Sequence, residues 1–320
     1  MKGFTSTRLI LLQPSLPKHG TSGGILPPAS YIPTAHNRLW LIALVSFFSF
    51  ASLFTLLSTS TRNTLPGADP GVPISIPSVS TTALHPHIFD ALVHYAAQSA
   101  ATGQMSESDL RAVAGVIRHR APCNLLVLGL GPESLLWRAL NHGGRTVFVD
   151  ENQYYIAHFE ERHPGIEGYD VAYTTKVSEL HDLLTAAREQ VAGECRPVQN
   201  LLFSDCRLGI NDLPNHIYDV AWDVILVDGP RGYSPASPGR MSTIFTAGVL
   251  ARSGDAGPTD VLVHDYEREV ERLCSAEFLC GENLVAAHGQ LAHFAIRGGP
   301  AARKDDFCFN RTAGAAAVTL

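Results

Sequence analysis

The chain has 320 residues, 45% of them hydrophobic, and a formal net charge of -6. That balance suits a globular protein. It excludes sequence-independent nucleic-acid binding, because neutralising phosphates needs clustered Lys and Arg that this sequence lacks.

Residues 1–38 hold Pro14, Pro17, Pro27, Pro28 and Pro33 among Gly, Ser and Thr, and read as a disordered tail. From Leu39 to Thr61, "LWLIALVSFFSFASLFTLLSTST", no charge occurs. About 20 such residues cross a bilayer as one helix. A cleaved signal peptide is disfavoured by the long polar lead before it. Lys2, Arg8, Lys18 and Arg38 precede the span with no acid among them, which places the N-terminus in the cytosol and the remainder in a lumen. Residues 62–83, "RNTLPGADPGVPISIPSVSTTA", read as a stem, 84–310 as the luminal domain and 311–320 as a second tail.

Within the domain, "HPHIFDALVHYAAQ" and "SESDLRAVAGVIRHRAP" carry helical apolar spacing, with Ser106 as cap of the second. Strands are predicted at Asn124–Leu128, Thr146–Val149, Asp170–Tyr173, Val220–Val227, Asp260–Val263 and Leu291–Ile296. Helices are predicted between them at Leu135–Leu140, Ser178–Val191, Arg240–Leu250 and Tyr266–Leu279. Short apolar strands alternating with helices imply an α/β, doubly wound, mostly parallel sheet. Trp137 and Trp222 read as core. All six cysteines follow the span, where disulfides are permitted; all 15 full pairings stay open, although Cys274 and Cys280 could be joined locally and Cys195 and Cys206 flank one apolar run, and buried free thiols are the alternative. A lone glycosylation sequon stands at Asn310.

In such a sheet ligands bind beyond the C-terminal strand ends. The sequence offers three groups there. Gly129 and Gly131 form a turn after the first strand, and the next strand ends in Asp150 and Glu151, placed to accept hydrogen bonds from ribose hydroxyls. A third glycine is missing, since Ser134 takes its place, so a cationic sulfonium cofactor, S-adenosylmethionine, fits better than a pyrophosphate one. Asp228 in "ILVDGP" and His264 in "LVHDYE" are the candidate catalytic pair; either is a candidate base for a sugar hydroxyl, or Asp228 with His264 or Asp265 a ligand set for a divalent ion. Arg231 and Arg240 bracket "GYSPASPG" and are candidates to bind the carboxylate of an acidic sugar such as glucuronate. A nicotinamide-dependent sugar-nucleotide enzyme is a third reading, opposed by Ser134.

The stretches "PCNLLVLGLGPESLLWRALNHGGRTVFVDEN", "DVILVDGPRGYSPASPGRM" and "VHDYEREVERLCSAEFLC" resemble the plant polysaccharide-biosynthesis family of glucuronoxylan 4-O-methyltransferases and irregular xylem fifteen proteins. "STRLILLQPSLPK" and "VQNLLFSDCRLGINDLPNHIYDV" look more like the irregular xylem branch. Pro132 and Glu133 depart from the methyltransferase branch, which tends to carry a His-Asp pair there. The resemblance implies a Golgi membrane protein with a methyltransferase-fold luminal domain acting in xylan synthesis for secondary walls. It further implies Gly129, Gly131 and Asp150 or Glu151 at the cofactor, and Asp228, Arg231 and His264 facing a glucuronoxylan acceptor. The expected partners are that glycan and other xylan-synthesising proteins. The expected activity is methyl transfer to O-4 of glucuronic acid side chains, with a non-catalytic member of the assembly as the alternative.

Overall fold

The computed structural model describes residues 46–49, 84–99, 105–254 and 257–309. The chain divides into units 1–76 and 77–320; in the first, residues 46–49 are helical. Among the described residues no helix is long and apolar enough to cross a membrane, and the span predicted at 39–61 lies, apart from 46–49, outside them. So do residues 1–38, the stem up to 83, Asn310 and the final tail.

The second unit opens with two helices, α1 (Pro86–Ala97) and α2 (Glu107–Arg120). Ser106 caps α2 as expected, its hydroxyl accepting from the Asp109 N–H at 3.2 Å. Glu107 and Asp109 in the first turn and Arg118, His119 and Arg120 in the last match the helix dipole. Leu110, Val113, Ala114 and Ile117 form its buried stripe.

The sheet follows: β1 (Asn124–Leu128), α3 (Ser134–Leu140), β2 (Arg145–Asp150), α4 (Gln153–Arg162), β3 (Glu167–Asp170), α5 (Leu180–Glu189), α6 (Asn215–Tyr218), β4 (Val224–Val227), α7 (Met241–Ser253), β5 (Pro258–His264), α8 (Glu269–Phe278), β6 (Leu284–His288) and β7 (Leu291–Arg297). The strand order is β3-β2-β1-β4-β5-β7-β6. All neighbours pair in parallel except those of β7, which is antiparallel to both β5 and β6. Alternation along β1 splits the core: Leu125 and Val127 pack with α1 to α3, Trp137 and Phe148 on one face, while Leu126 and Leu128 pack with Phe245, Trp222 and Phe278 on the other. Burial on both faces is why these strands read as continuous apolar runs.

Two strands have boundaries that shift by three residues or more. β3 lies at Glu167–Asp170 rather than Asp170–Tyr173, because Glu167 pairs with Arg145 of β2 through two bonds of 3.0 and 2.6 Å, a polar edge with no apolar signature. Val171 is buried just past the strand. β4 begins at Val224, since the Asp223 carboxylate turns aside to accept the Asn124 N–H. β6 and α4 carry no strong apolar stripe, β6 being an exposed edge and α4 burying only Ile156.

Disulfides join Cys195 to Cys206 and Cys280 to Cys308, so the local Cys274–Cys280 option is corrected. Cys274 follows Val270 into the core from α8, whereas Cys280 lies past the end of that helix and meets the returning C-terminal segment. Cys123 and Cys274 are free and buried. Burial, then the charge of Asp223, pushes the Cys123 thiol up to about 12. Alkylation of the native, unreduced protein is therefore expected to label neither thiol, and alkylation in denaturant without reductant to add two groups by intact mass; four adducts would refute the Cys280–Cys308 bridge or its partner.

Candidate functional site

The strand order reverses beside β1, with β2 on one side and β4 on the other. Ligands in open parallel sheets bind at this point. The loops leaving β1 and β4 meet there through two glycines. Gly129 has φ +123°, and a Cβ on it would stand 2.7 Å from the Gly229 nitrogen and 2.8 Å from the Asp228 carbonyl carbon, so no other residue fits.

The amides of Gly129, Leu130 and Gly131 are engaged within the protein. Gly129 N–H donates to the Val149 carbonyl at 2.7 Å, Leu130 N–H to Asp150 Oδ2 at 3.0 Å, and Gly131 N–H to Ser134 Oγ at 3.0 Å. Pro132 has no N–H. A turn so arranged presents no amide nest for a pyrophosphate. Ser134 explains the missing third glycine, because its hydroxyl closes the turn from inside at 1% exposure.

Asp150 also accepts the Asn152 N–H at 2.9 Å, through Oδ1. Each carboxylate oxygen has a second lone pair, so acceptor capacity remains for two hydroxyls. Glu151 is exposed, and its carboxyl is raised from the ordinary value by partial burial and by the charge of Asp150 beside it; Arg231 acts in the opposite direction.

On the other side of Gly131 lies Glu133, which the sequence reading did not include among site residues. It occupies the N-cap position of α3 without capping it; its side chain turns inward to 4% exposure, where Oε1 accepts the Met105 N–H at 2.7 Å. A Cβ at position 131 would come within 3.3 Å of Glu133 Oε2 and 4.0 Å of Asp228 Oδ2. Two carboxyl groups thus converge over a glycine. Burial raises the Glu133 carboxyl, Met105 lowers it, and the charge of Asp228 adds to the rise.

Asp228 and His264, brought in by the ends of adjacent β4 and β5, are in contact: Oδ1 to Nδ1 is 2.8 Å. His264 is 8% exposed, and its Nε2 is buried with no partner among the described residues. Burial pulls the imidazole down, but the hydrogen bond and charge of Asp228, followed by Asp265, prevail and hold it above its ordinary value. An oriented imidazole with an unengaged ring nitrogen is the arrangement of a general base.

Arg240 does not stand free to grip a substrate carboxylate, contrary to expectation. It is 5% exposed and lies inside the pair. Nη1 donates to the His264 carbonyl at 2.6 Å and pairs with Asp265 at 2.8 Å, while Nη2 donates to the Asp228 carbonyl at 2.8 Å and to its carboxylate at 3.2 Å. Glu271 is 3.7 Å away. Asp265 has φ +60°, a conformation few non-glycine residues adopt, and Arg268 pairs with it at 2.8 Å. A fixed guanidinium therefore fills the space between Asp228 and Asp265 that the divalent-ion option would need. Arg231 is exposed and forms no ion pair within 4.0 Å among the described residues.

Comparison with known proteins fits this geometry. The family description IRX15/IRX15L/GXM matches residues 108–294. Protein IRREGULAR XYLEM 15 of Arabidopsis thaliana is 51% identical over 310 residues, covering 92% of this chain and 91% of that one. Protein IRX15-LIKE of the same plant is 51% identical over 302 residues, with the same coverage of 92% and 91%. Its glucuronoxylan 4-O-methyltransferase 3 is 44% identical over 219 residues, covering 68% of this chain and 72% of that one. With the match spanning β1 to β7 and every residue of the crevice described above except Met105, the chain belongs to the IRX15/IRX15L/GXM family.

Proposed function

We propose that this protein acts in xylan biosynthesis in the Golgi lumen as an S-adenosylmethionine-dependent O-methyltransferase for O-4 of glucuronic acid side chains. The observation that carries the proposal is the Asp228–His264 pair at the switch point, with Nε2 buried and unpartnered. The site fits the cofactor on two counts: the amides of Gly129, Leu130 and Gly131 are closed to phosphate, and the carboxyl groups of Glu133 and Asp228 converge on Gly131, an arrangement suited to a cation. When bound, S-adenosylmethionine would supply an electrophilic methyl group, its sulfur keeping the electron pair of the broken methyl C–S bond as a neutral thioether. Asp150 would accept its ribose hydroxyls. His264 Nε2 would take the proton of the sugar hydroxyl as its oxygen attacks, and Asp228 would hold the Nδ1 proton and stabilise the imidazolium. Arg231, exposed at the rim, would bind the uronate carboxylate. Arg240 would act as a positioning residue, fixing Asp228 and the backbone of His264. Two disulfides support a luminal address.

A second reading, a non-catalytic member of a xylan-synthesising assembly, is favoured by the longer and closer match to IRREGULAR XYLEM 15 than to the methyltransferase. Calorimetric titration of the detergent-solubilised full chain with S-adenosylmethionine separates the two. Saturable binding is expected, weakened roughly a hundredfold in Asp150→Ala, since two charge-assisted hydrogen bonds are lost. Absence of heat at millimolar cofactor would leave only the assembly role.

A further inference from the structure

The loop from Arg231 to Gly239 is rich in Pro, Gly and Ser, yet the structure gives it one shape. Val177 N–H donates to the Ser237 carbonyl at 2.9 Å and Ser178 N–H to the Pro235 carbonyl at 3.0 Å. Thr175 Oγ1 donates to the Pro238 carbonyl at 3.1 Å, and Gly239 N–H closes the loop base on the Arg231 carbonyl at 3.1 Å. Inside it, the Ser234 and Ser237 hydroxyls are 2.8 Å apart. The segment after β3 thus clamps the loop against the C-terminal rim of the sheet.

Tyr233 stands on this clamped loop with 74% of its surface exposed. Single exposed aromatics are ordinary and need no function. This one is held differently. The Arg268 guanidinium lies over its ring, 4.8 Å from the centroid. Arg268 is itself fixed at 2.8 Å by Asp265, a 5% exposed residue adjoining His264 and paired also with Arg240. A chain of contacts therefore runs from the residue after His264 to one side of an aromatic ring whose remaining surface faces solvent. A flat, immobilised ring carries little ordering cost on binding. Its π face is electronegative and complements the polarised C–H groups on the apolar face of a pyranose. Arg231, two positions away and exposed, is the neighbouring anion partner.

We propose that Tyr233 is a stacking platform for a pyranose ring of the acceptor polysaccharide, positioning the chain so that a uronic acid beside it reaches Arg231 and His264. The proposal rests on the reading of the crevice as an acceptor site for an acidic glycan, and it assigns the platform whether or not methyl transfer occurs there. The occupant is a sugar ring because the surface offers an aromatic face beside the exposed Ser234 hydroxyl and two arginines, Arg231 and Arg268, the pattern of a pyranose bearing a carboxylate nearby.

The test is affinity electrophoresis of the detergent-solubilised full chain through gels containing glucuronoxylan, with Tyr233→Phe and Tyr233→Ala alongside. Glucuronoxylan is expected to retard the wild type and Tyr233→Phe equally. Tyr233→Ala should bind roughly 5-fold more weakly, the scale of one aromatic stacking contact, with an unchanged unfolding temperature and unchanged S-adenosylmethionine affinity. In a methylation assay the same variant should raise KM for the polymer and leave kcat alone, the signature of lost uniform binding. Equal retardation of wild type and Tyr233→Ala, or no retardation of the wild type, overturns the platform. Loss of retardation in Tyr233→Ala by a protein that binds no S-adenosylmethionine would keep the platform and discard methyl transfer. Methyl transfer with an unaltered polymer KM in that variant would do the reverse.

Discussion

Replacing His264 by Gln is expected to lower methyl transfer by about 10²–10⁴-fold, the range for loss of a positioned base, with S-adenosylmethionine affinity preserved. Asp228→Asn should fall in the same range, because the amide no longer fixes the Nδ1 proton or stabilises the imidazolium. The pH profile tests the cause as well as the size. A base must be neutral to act, so the wild-type rate should climb as pH rises through the His264 pKa, which lies above the ordinary value of about 6.5. In Asp228→Asn the main raising influence is gone while burial still depresses the imidazole, so the residual activity should have its acid limb at lower pH. The pairing also leaves a mark on folding. Its stabilisation is fully present below about pH 6.5, the unfolded value, and is lost as pH rises through the folded value. An acid limb that stays in place in Asp228→Asn, or a His264→Gln enzyme at wild-type rate, would remove the imidazole from the reaction.

Arg240→Leu should be the most destabilising exchange in the crevice. It leaves Glu271, 1% exposed, without the guanidinium 3.7 Å away, and Asp265, 5% exposed, with Arg268 alone. Breaking a buried ion network by removing one member costs about 3–5 kcal/mol, which for a domain of this size lowers Tm by on the order of 10 °C. Burial already raises the Glu271 carboxyl and Arg240 counteracts it, so without Arg240 the rise is larger and the deficit should shrink as pH falls and the carboxyl protonates. Arg240→Lys should recover little, because one ammonium cannot reach the His264 carbonyl, the Asp228 carbonyl and both carboxylates together. Thermal unfolding followed by circular dichroism across pH 5–8 reads all of this, and a Tm within two or so degrees of wild type for Arg240→Leu would show that the network is not holding the fold.

How much of this was legible in the sequence depended on burial. β1, β2, β4 and β5 announce themselves because both faces are covered and their central positions are apolar, and the residues at their tips follow from the parallel topology. β6 is an exposed edge supported by β7 alone, and β3 is held by the Glu167–Arg145 pair, so neither leaves a periodic trace. Arg240 was misjudged for a different reason. An arginine beside a Pro- and Gly-rich loop looks solvent-facing until Asp265 and Glu271 arrive from the β5–α8 connection to surround it, and that proximity is tertiary. Glu133 did leave a signal, an acid inside the otherwise apolar run "LLVLGLGPESLLW", but its position before a helix makes capping the ordinary inference. The backbone there is helical and the side chain makes no cap bond, which frees the carboxyl to turn toward Met105.

The back-to-back glycines at 129 and 229 have a further consequence. Where two bends touch main chain to main chain, side-chain exchange cannot widen or narrow the gap between the half of the crevice that would carry a donor and the half that would receive an acceptor. Diversification toward other sugars would then have to proceed through the clamped loop at 231–239, whose outward residues can vary while the interlocked bends keep the reacting partners at one fixed separation.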